Sequence, residues 1–134
     1  MAQTLDLLRQ EHREMRVLLE ALEQQLDLFE QAGNPDFELL SEIVDYFRGV
    51  PDLYHHPKED LIYYYMTLRV ADKNDLKVDL HSEHDRGSDL LNNFARNLMR
   101  VLLGVELPRD VVVKSGRDFL ENEKRHMDAE ENAF

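Results

Sequence analysis

Histidine and glutamate recur in this chain at spacings that suit shared coordination of a cation. His55 and Glu59 stand four residues apart, as do His126 and Glu130, and two further histidines, His12 and His84, each follow a glutamate directly, Glu11 and Glu83. On a helix an i, i+4 pair lies on one face with β-carbons roughly 6 Å apart. An imidazole and a carboxylate so placed grip one ion, or the carboxylate reaches across to a second. If single histidines from two other helices come to the same point, four imidazoles and two carboxylates meet there. Without a cation such a cluster is costly, since a buried polar group lacking a partner loses roughly 1–3 kcal/mol and an ionised carboxylate more. For any one of these residues a hydrogen-bonded His–Glu contact in a helical core is the ordinary explanation. It is a poor explanation for six residues that repeat in register.

The repeat is visible along the chain. LLRQEHREMRVLLE resembles DLHSEHDRGSDLLN and aligns His12 with His84 at an offset of 72, while HHPKEDLIY resembles HMDAEENAF and aligns His55 with His126 and Glu59 with Glu130 at an offset of 71. Each half therefore offers Glu-His on its first helix and His-x-x-x-Glu on its second, as two structural repeats about a pseudo-twofold axis would. The alignment selects His55 over His56 as the partner of Glu59. His56, about 100° round the helix, and His81, whose repeat mate is Arg9, are expected outside the ligand set.

The elements that position these residues follow from apolar periodicity. Leu5, Leu8, Met15, Leu19, Leu22, Leu26 and Phe29 form a helical stripe whose one gap is filled by His12, and Gly33-Asn34-Pro35 ends it. A second stripe runs through Phe37, Leu40, Val44 and Phe47 and resumes beyond Pro51 with His55, Glu59, Ile62 and Met66. Proline is tolerated only in a first helical turn, so a kink or restart is expected near Pro51 and Pro57. The third stripe is Leu76, Leu80, His84, Gly87, Leu91, Phe94, Leu98 and Val101, ending near Gly104 and Pro108. The fourth is Val112, Ser115, Phe119, Asn122, His126, Glu130 and Ala133. Four helical patterns with short joins predict an all-α, antiparallel up-down-up-down four-helix bundle, one domain over residues 1–134. At least one of Tyr63, Tyr64 and Tyr65 is expected to be buried. Gly87 lies one turn beyond His84 where the first half has Met15; it either opens space beside a metal pair or admits close helix packing.

Composition narrows the chemistry. The 134 residues include no cysteine, which excludes disulfides, thiolate zinc, iron–sulfur clusters and thiol catalysis and fits a reducing cytoplasm. A formal charge of −12 argues against nucleic acid and anionic membrane surfaces as partners. The opening MAQTLDLLRQEH has no apolar run of signal-peptide type, and no run approaches a membrane span. Imidazole and carboxylate suit iron, zinc or manganese alike. Structural zinc prefers a closed set of four, whereas six ligands with two carboxylates able to bridge suit two octahedral-leaning ions. An oxo or hydroxo bridge from solvent would bring each to five ligands and leave one position for a small molecule.

Glu11-His12, His55-x-x-x-Glu59 within HHPKED, Glu83-His84 and His126-x-x-x-Glu130 together resemble the hemerythrin-like HHE cation-binding family over essentially the whole chain. The resemblance implies a non-haem di-iron centre in a four-helix bundle, ligated by His12, His55, Glu59, His84, His126 and Glu130 with both glutamates bridging. It implies interaction with dioxygen, nitric oxide or iron itself, because the family includes oxygen carriers, oxygen or iron sensors and iron-centre repair proteins. Two departures stand out. Oxygen-carrying hemerythrins have a fifth histidine at the position of Leu80, and an aspartate five residues after the fourth-helix histidine where this chain has Glu130 after four. The centre is therefore expected to be more symmetric than a reversible carrier's. The repair branch has a cysteine-bearing segment that this chain lacks, and the Glu-x-x-His order of ferritin-like oxidases fits less well. Ligand binding or sensing, peroxide or nitric oxide enzymology, and iron handling all stay open, as do the redox or protein partner each would need. Protein produced with iron available is expected to carry about two irons per chain; metal analysis finding one tightly held zinc, indifferent to iron supply, would defeat the di-iron reading.

Overall fold

A computed structural model of the chain describes residues 2–50, 61 and 80–133. Among these residues four α-helices follow one another, α1 (Ala2–Glu30), α2 (Phe37–Val50), α3 (Leu80–Leu102) and α4 (Arg109–Ala133), with no strand. The predicted kink near Pro51 and Pro57 lies outside the described residues, as do Tyr63, Tyr64 and Tyr65.

The periodic stripes are the buried faces. Leu8, His12, Met15, Leu19, Leu22, Leu26 and Phe29 are buried on α1; Leu40, Val44 and Phe47 on α2; Gly87, Leu91, Phe94 and Leu98 on α3; and Val112, Ser115, Phe119, Asn122, His126 and Glu130 on α4. A second row, Ile43 on α2 and Val113, Leu120 and Met127 on α4, widens the apolar arc beyond one seam. The widening has a cause: α4 packs against both α1 and α3, and each neighbour needs its own row.

Cross-helix pairs fix the directions. Arg16 reaches Asp128 at 2.9 Å, Lys124 reaches Glu23 at 2.8 Å and Arg117 reaches Asp27 at 2.7 Å, so rising numbers on α1 meet falling numbers on α4 and the two run antiparallel. On the other flank of α4, Asn97 meets Ser115 while Gly87 meets Asn122, which makes α3 antiparallel to α4 as well. The N-terminal parts of α1 and α3 thus share one end of the bundle with the C-terminal part of α4.

The opposite end is apolar and tightly filled. Phe47 packs edge-on against Phe119 at 5.4 Å between centroids, and Phe94 and Phe119 are fully enclosed. Each such side chain contributes roughly 1.5–3 kcal/mol on burial. Gly116 lets three helices meet there: a β-carbon on it would lie 2.7 Å from Leu26 Cδ2 and 2.9 Å from Phe94 Cε1. One polar contact is set into this core. The Asn97 amide donates to Ser115 Oγ at 3.1 Å, and Ser115 in turn donates to the Val112 carbonyl at 2.7 Å, pinning the register of α3 on α4.

The helix ends use two related stops. At the end of α1 the Gly33 amide bonds the Leu28 carbonyl and the Ala32 amide bonds that of Phe29; α3 ends the same way, through Val105 to Arg100 and Gly104 to Val101. This pattern requires one left-handed residue, which is Gly104 at φ 80° in α3 but Ala32 at φ 64° in α1. Gly33 is not that residue. It abuts Leu28, whose Cδ1 would stand 2.6 Å from an added β-carbon. Asp36 caps α2 by accepting the Leu39 amide at 3.0 Å. Two substitutions test this account by urea unfolding. Ala32→Gly, which relieves a left-handed alanine, is expected to raise stability by up to about 1 kcal/mol, and Gly116→Ala to lower it by about 1–3 kcal/mol.

Candidate metal centre

Three of the predicted ligands come together at the mixed polar end. His12 on α1 and His126 and Glu130 on α4 are buried, with relative exposures of 2%, 7% and 0%. One helical turn separates His126 from Glu130, and their Nε2 and Oε1 atoms meet. Because α1 runs antiparallel to α4, His12 arrives at the same level, with Nε2 at 3.7 Å from Glu130 Oε2. That separation is beyond hydrogen-bond range. Donor atoms on one transition-metal ion, at roughly 2.1 Å each, stand about 3–4 Å apart.

The other face of the His12 ring gives its protonation pattern. Nδ1 lies 3.1 Å from Glu131 Oε1, and a carboxylate offers only acceptor atoms, so Nδ1 carries the hydrogen and donates it. With the imidazole neutral, Nε2 then turns a lone pair toward Glu130. Among the described residues neither oxygen of Glu130 accepts a hydrogen bond, although the side chain is wholly enclosed. A carboxylate with an imidazole lone pair aimed at it in a low-dielectric core is repulsive until positive charge comes between them. The donor set therefore fits a metal cation.

The remaining predicted ligands are only partly within view. His55 and Glu59 lie outside the described residues. His84 sits in the backbone of α3, level with the turn of α4 that carries His126, while its side chain is outside the described set. Among the described residues no group of three or more His, Cys, Asp or Glu side chains is placed so that it could hold a metal ion, so His12, His126 and Glu130 do not make a metal site by themselves.

The space over Gly87 is filled from α4. A β-carbon there would meet Glu123 Oε1 at 3.1 Å and Asn122 Nδ2 at 3.5 Å. Of the two roles open to Gly87 from sequence, close helix approach is the one its surroundings match. Met15, its repeat mate, is buried on α1. A small pocket between α1 and α4 is lined by Leu5, Leu8, Arg9, His12, Glu130 and Glu131. On α2 the Tyr46 phenol is held above its usual pKa by burial first, then by the negative charges of Glu14 and Glu11, and stays neutral.

Glu131 and Arg16 were not apparent as site residues from their spacing. Arg16 reaches both Glu131 Oε2, at 3.3 Å, and Asp128 Oδ1, at 2.9 Å. The available signal was the second acid that follows each predicted glutamate ligand, Asp60 after Glu59 and Glu131 after Glu130.

This is an all-α bundle with imidazoles and a buried carboxylate gathered at one end. The family model for the hemerythrin HHE cation binding domain matches residues 3–134, and the chain belongs to that family. No curated protein and no solved structure matches the sequence. Among the described residues no helix is long and apolar enough to cross a membrane. Since α4 side chains occupy the space over Gly87, Gly87→Leu is expected to lower the melting temperature by several degrees through overpacking; calorimetry showing a leucine variant as stable as the parent would contradict this close approach.

Proposed function

We propose that the chain holds two iron ions at the end of the bundle where α1, α3 and α4 bring their histidines, on His12, His55, Glu59, His84, His126 and Glu130. There it binds or senses a small ligand such as dioxygen or nitric oxide. The observation that carries the reading is the Glu130 carboxylate, wholly buried, with His126 on one oxygen and His12 facing the other. When bound, iron supplies reversible one-electron chemistry and an open position for a diatomic molecule.

The chain's own residues set the conditions for that chemistry. Glu130 provides negative charge in a dry setting, where its attraction for a cation is strong. His12 offers Nε2 as a lone pair because its proton is committed to Glu131 at Nδ1. Leu8 and Met15, one turn to either side of His12, and Met127 beside His126 are buried and limit water around these atoms. The absence of cysteine suits a reducing cytoplasm, and we assign the protein there.

Two measurements test the proposal. Iron that binds only the folded chain stabilises it by about 2.7 kcal/mol when free metal is a hundredfold above Kd, so iron-loaded protein is expected to melt well above the metal-free form; coincident melting curves would remove the core site. Stopped-flow mixing of the reduced protein with oxygen then separates the roles. A spectral change that reverses when oxygen is withdrawn supports binding or sensing. Sustained consumption with a reductant supports a di-iron redox enzyme, for example one acting on peroxide or nitric oxide, and a single irreversible oxidation supports iron handling.

A further inference from the structure

We propose that Glu131 is a positioning residue for His12. Its carboxylate commits the imidazole proton to Nδ1 and so presents Nε2 toward Glu130, while Arg16, itself paired with Asp128, holds that carboxylate in place. The inference rests on the cation-binding reading of His12 and Glu130 given above.

Consecutive residues of α4 bracket a single imidazole. Glu130 Oε2 stands 3.7 Å from His12 Nε2, and Glu131 Oε1 stands 3.1 Å from His12 Nδ1. Neighbouring positions on a helix point about 100° apart, so one carboxylate faces the core and the next wraps the rim of α1. The ring between them is almost fully enclosed, whereas Glu131 is 38% exposed. Glu131 is therefore more easily hydrated than a ligand buried beside Glu130, and its geometry is that of a hydrogen-bond acceptor behind the ring.

A half-exposed carboxylate is not rigid unless something holds it. Arg16, one turn after His12 on α1, places one guanidinium nitrogen 3.3 Å from Glu131 Oε2 and 2.9 Å from Asp128 Oδ1. The two oxygens of Glu131 are thus divided, Oε1 to the histidine and Oε2 to the arginine. As ion pairs at a surface these contacts contribute only about 0–1 kcal/mol to stability. Their effect lies in orientation, because the hydrogen bond made by one ring nitrogen decides which nitrogen is left for a metal.

The sequence repeat does not carry this arrangement over position by position. The position equivalent to Glu131 in the first half is Asp60, also acidic, but the position equivalent to Arg16 in the second half is Ser88. A serine at that position cannot form the ion pair that Arg16 makes with Glu131.

The test uses the full chain. Ring nitrogen–proton correlation spectra of the metal-free protein at neutral to mildly alkaline pH are expected to show a proton retained on His12 Nδ1. Glu131→Ala is expected to lose it and to weaken cobalt(II) binding by about 10–100-fold, with little change in metal-free melting temperature. Glu131→Gln keeps an acceptor oxygen, and is expected to keep the Nδ1 proton and most of the cobalt affinity. Arg16→Met is expected to weaken binding a few-fold. A wild-type Nδ1 that carries no proton overturns the proposal, as does Glu131→Ala with unchanged spectrum and affinity. Loss of cobalt binding in Glu131→Gln as deep as in Glu131→Ala also overturns it, since Glu131 would then be a metal ligand itself. If Glu131→Ala does not fold, the wild-type spectrum and the Glu131→Gln variant still decide. Wild-type protein that binds neither cobalt nor iron removes the cation-binding reading, and the Nδ1 proton then judges Glu131 on its own.

Discussion

A carboxylate with no solvent exposure governs this bundle. Glu130 lies inside α4 with His126 one turn before it and His12 across from it, and none of the described residues donates a hydrogen bond to it. The effective penalty for enclosing a charge is several kcal/mol per ion even after relaxation, against a net stability of about 5–15 kcal/mol for a domain. No helical sequence keeps such a group in its core without a compensating interaction. On the proposed reading a cation shared among Glu130 and the imidazoles would supply one, and its binding free energy would then become folding free energy.

That constraint divides the molecule lengthwise. The end formed by the C-terminal half of α1 and the N-terminal half of α4 holds the aromatic packing of Phe47, Phe94 and Phe119, the close approach at Gly116 and the Asn97–Ser115 contact. These interactions owe nothing to a metal and keep the helices in register whether or not one is bound. The other end can then carry groups that are unfavourable on their own, because the apolar packing already holds the helices together, with Arg117–Asp27, Lys124–Glu23 and Arg16–Asp128 lying along the α1–α4 contact. Stability and chemistry sit at opposite ends of the same helices, and an antiparallel path is what lets His12, early in the chain, meet Glu130, near its end.

Helix faces were legible in the sequence because burial on a helix follows a period the sequence displays. His12 stood out as the one polar residue in the α1 stripe, and every described side chain of the α4 stripe, including Ser115 and Asn122, proved buried. Features that depend on what lies opposite were not legible. Gly33 has the composition of a left-handed helix stop, yet that conformation falls on Ala32, while Gly33 abuts Leu28. Periodicity put Gly87 on the buried face but said nothing of Asn122 and Glu123 above it. Glu131 reads as a surface acid until α1 is in place to bring His12 beneath it. The assignment of His55, Glu59 and the His84 side chain continues to rest on the sequence repeat, since these groups lie outside the described residues.

The repeat equates the donors of the two halves but not their surroundings. His12 matches His84 and Glu130 matches Glu59, while Met15 faces Gly87 in the alignment, Arg16 faces Ser88, and Glu131 faces the shorter Asp60. A carboxylate behind a ligand imidazole makes the ring a stronger donor, and a guanidinium on that carboxylate moderates the effect by drawing its charge away. If the matched residues are ligands as proposed, these substitutions in sequence would make the two halves differ in how strongly their histidines donate. In a bundle derived from a repeat, identical ligands are inherited together, and any difference between two bound ions has to be written into the residues that touch the ligands from outside. Arg16 and Glu131 are such residues. They lie on α1 and α4, the helix pair whose contact along the bundle also brings His12 to Glu130.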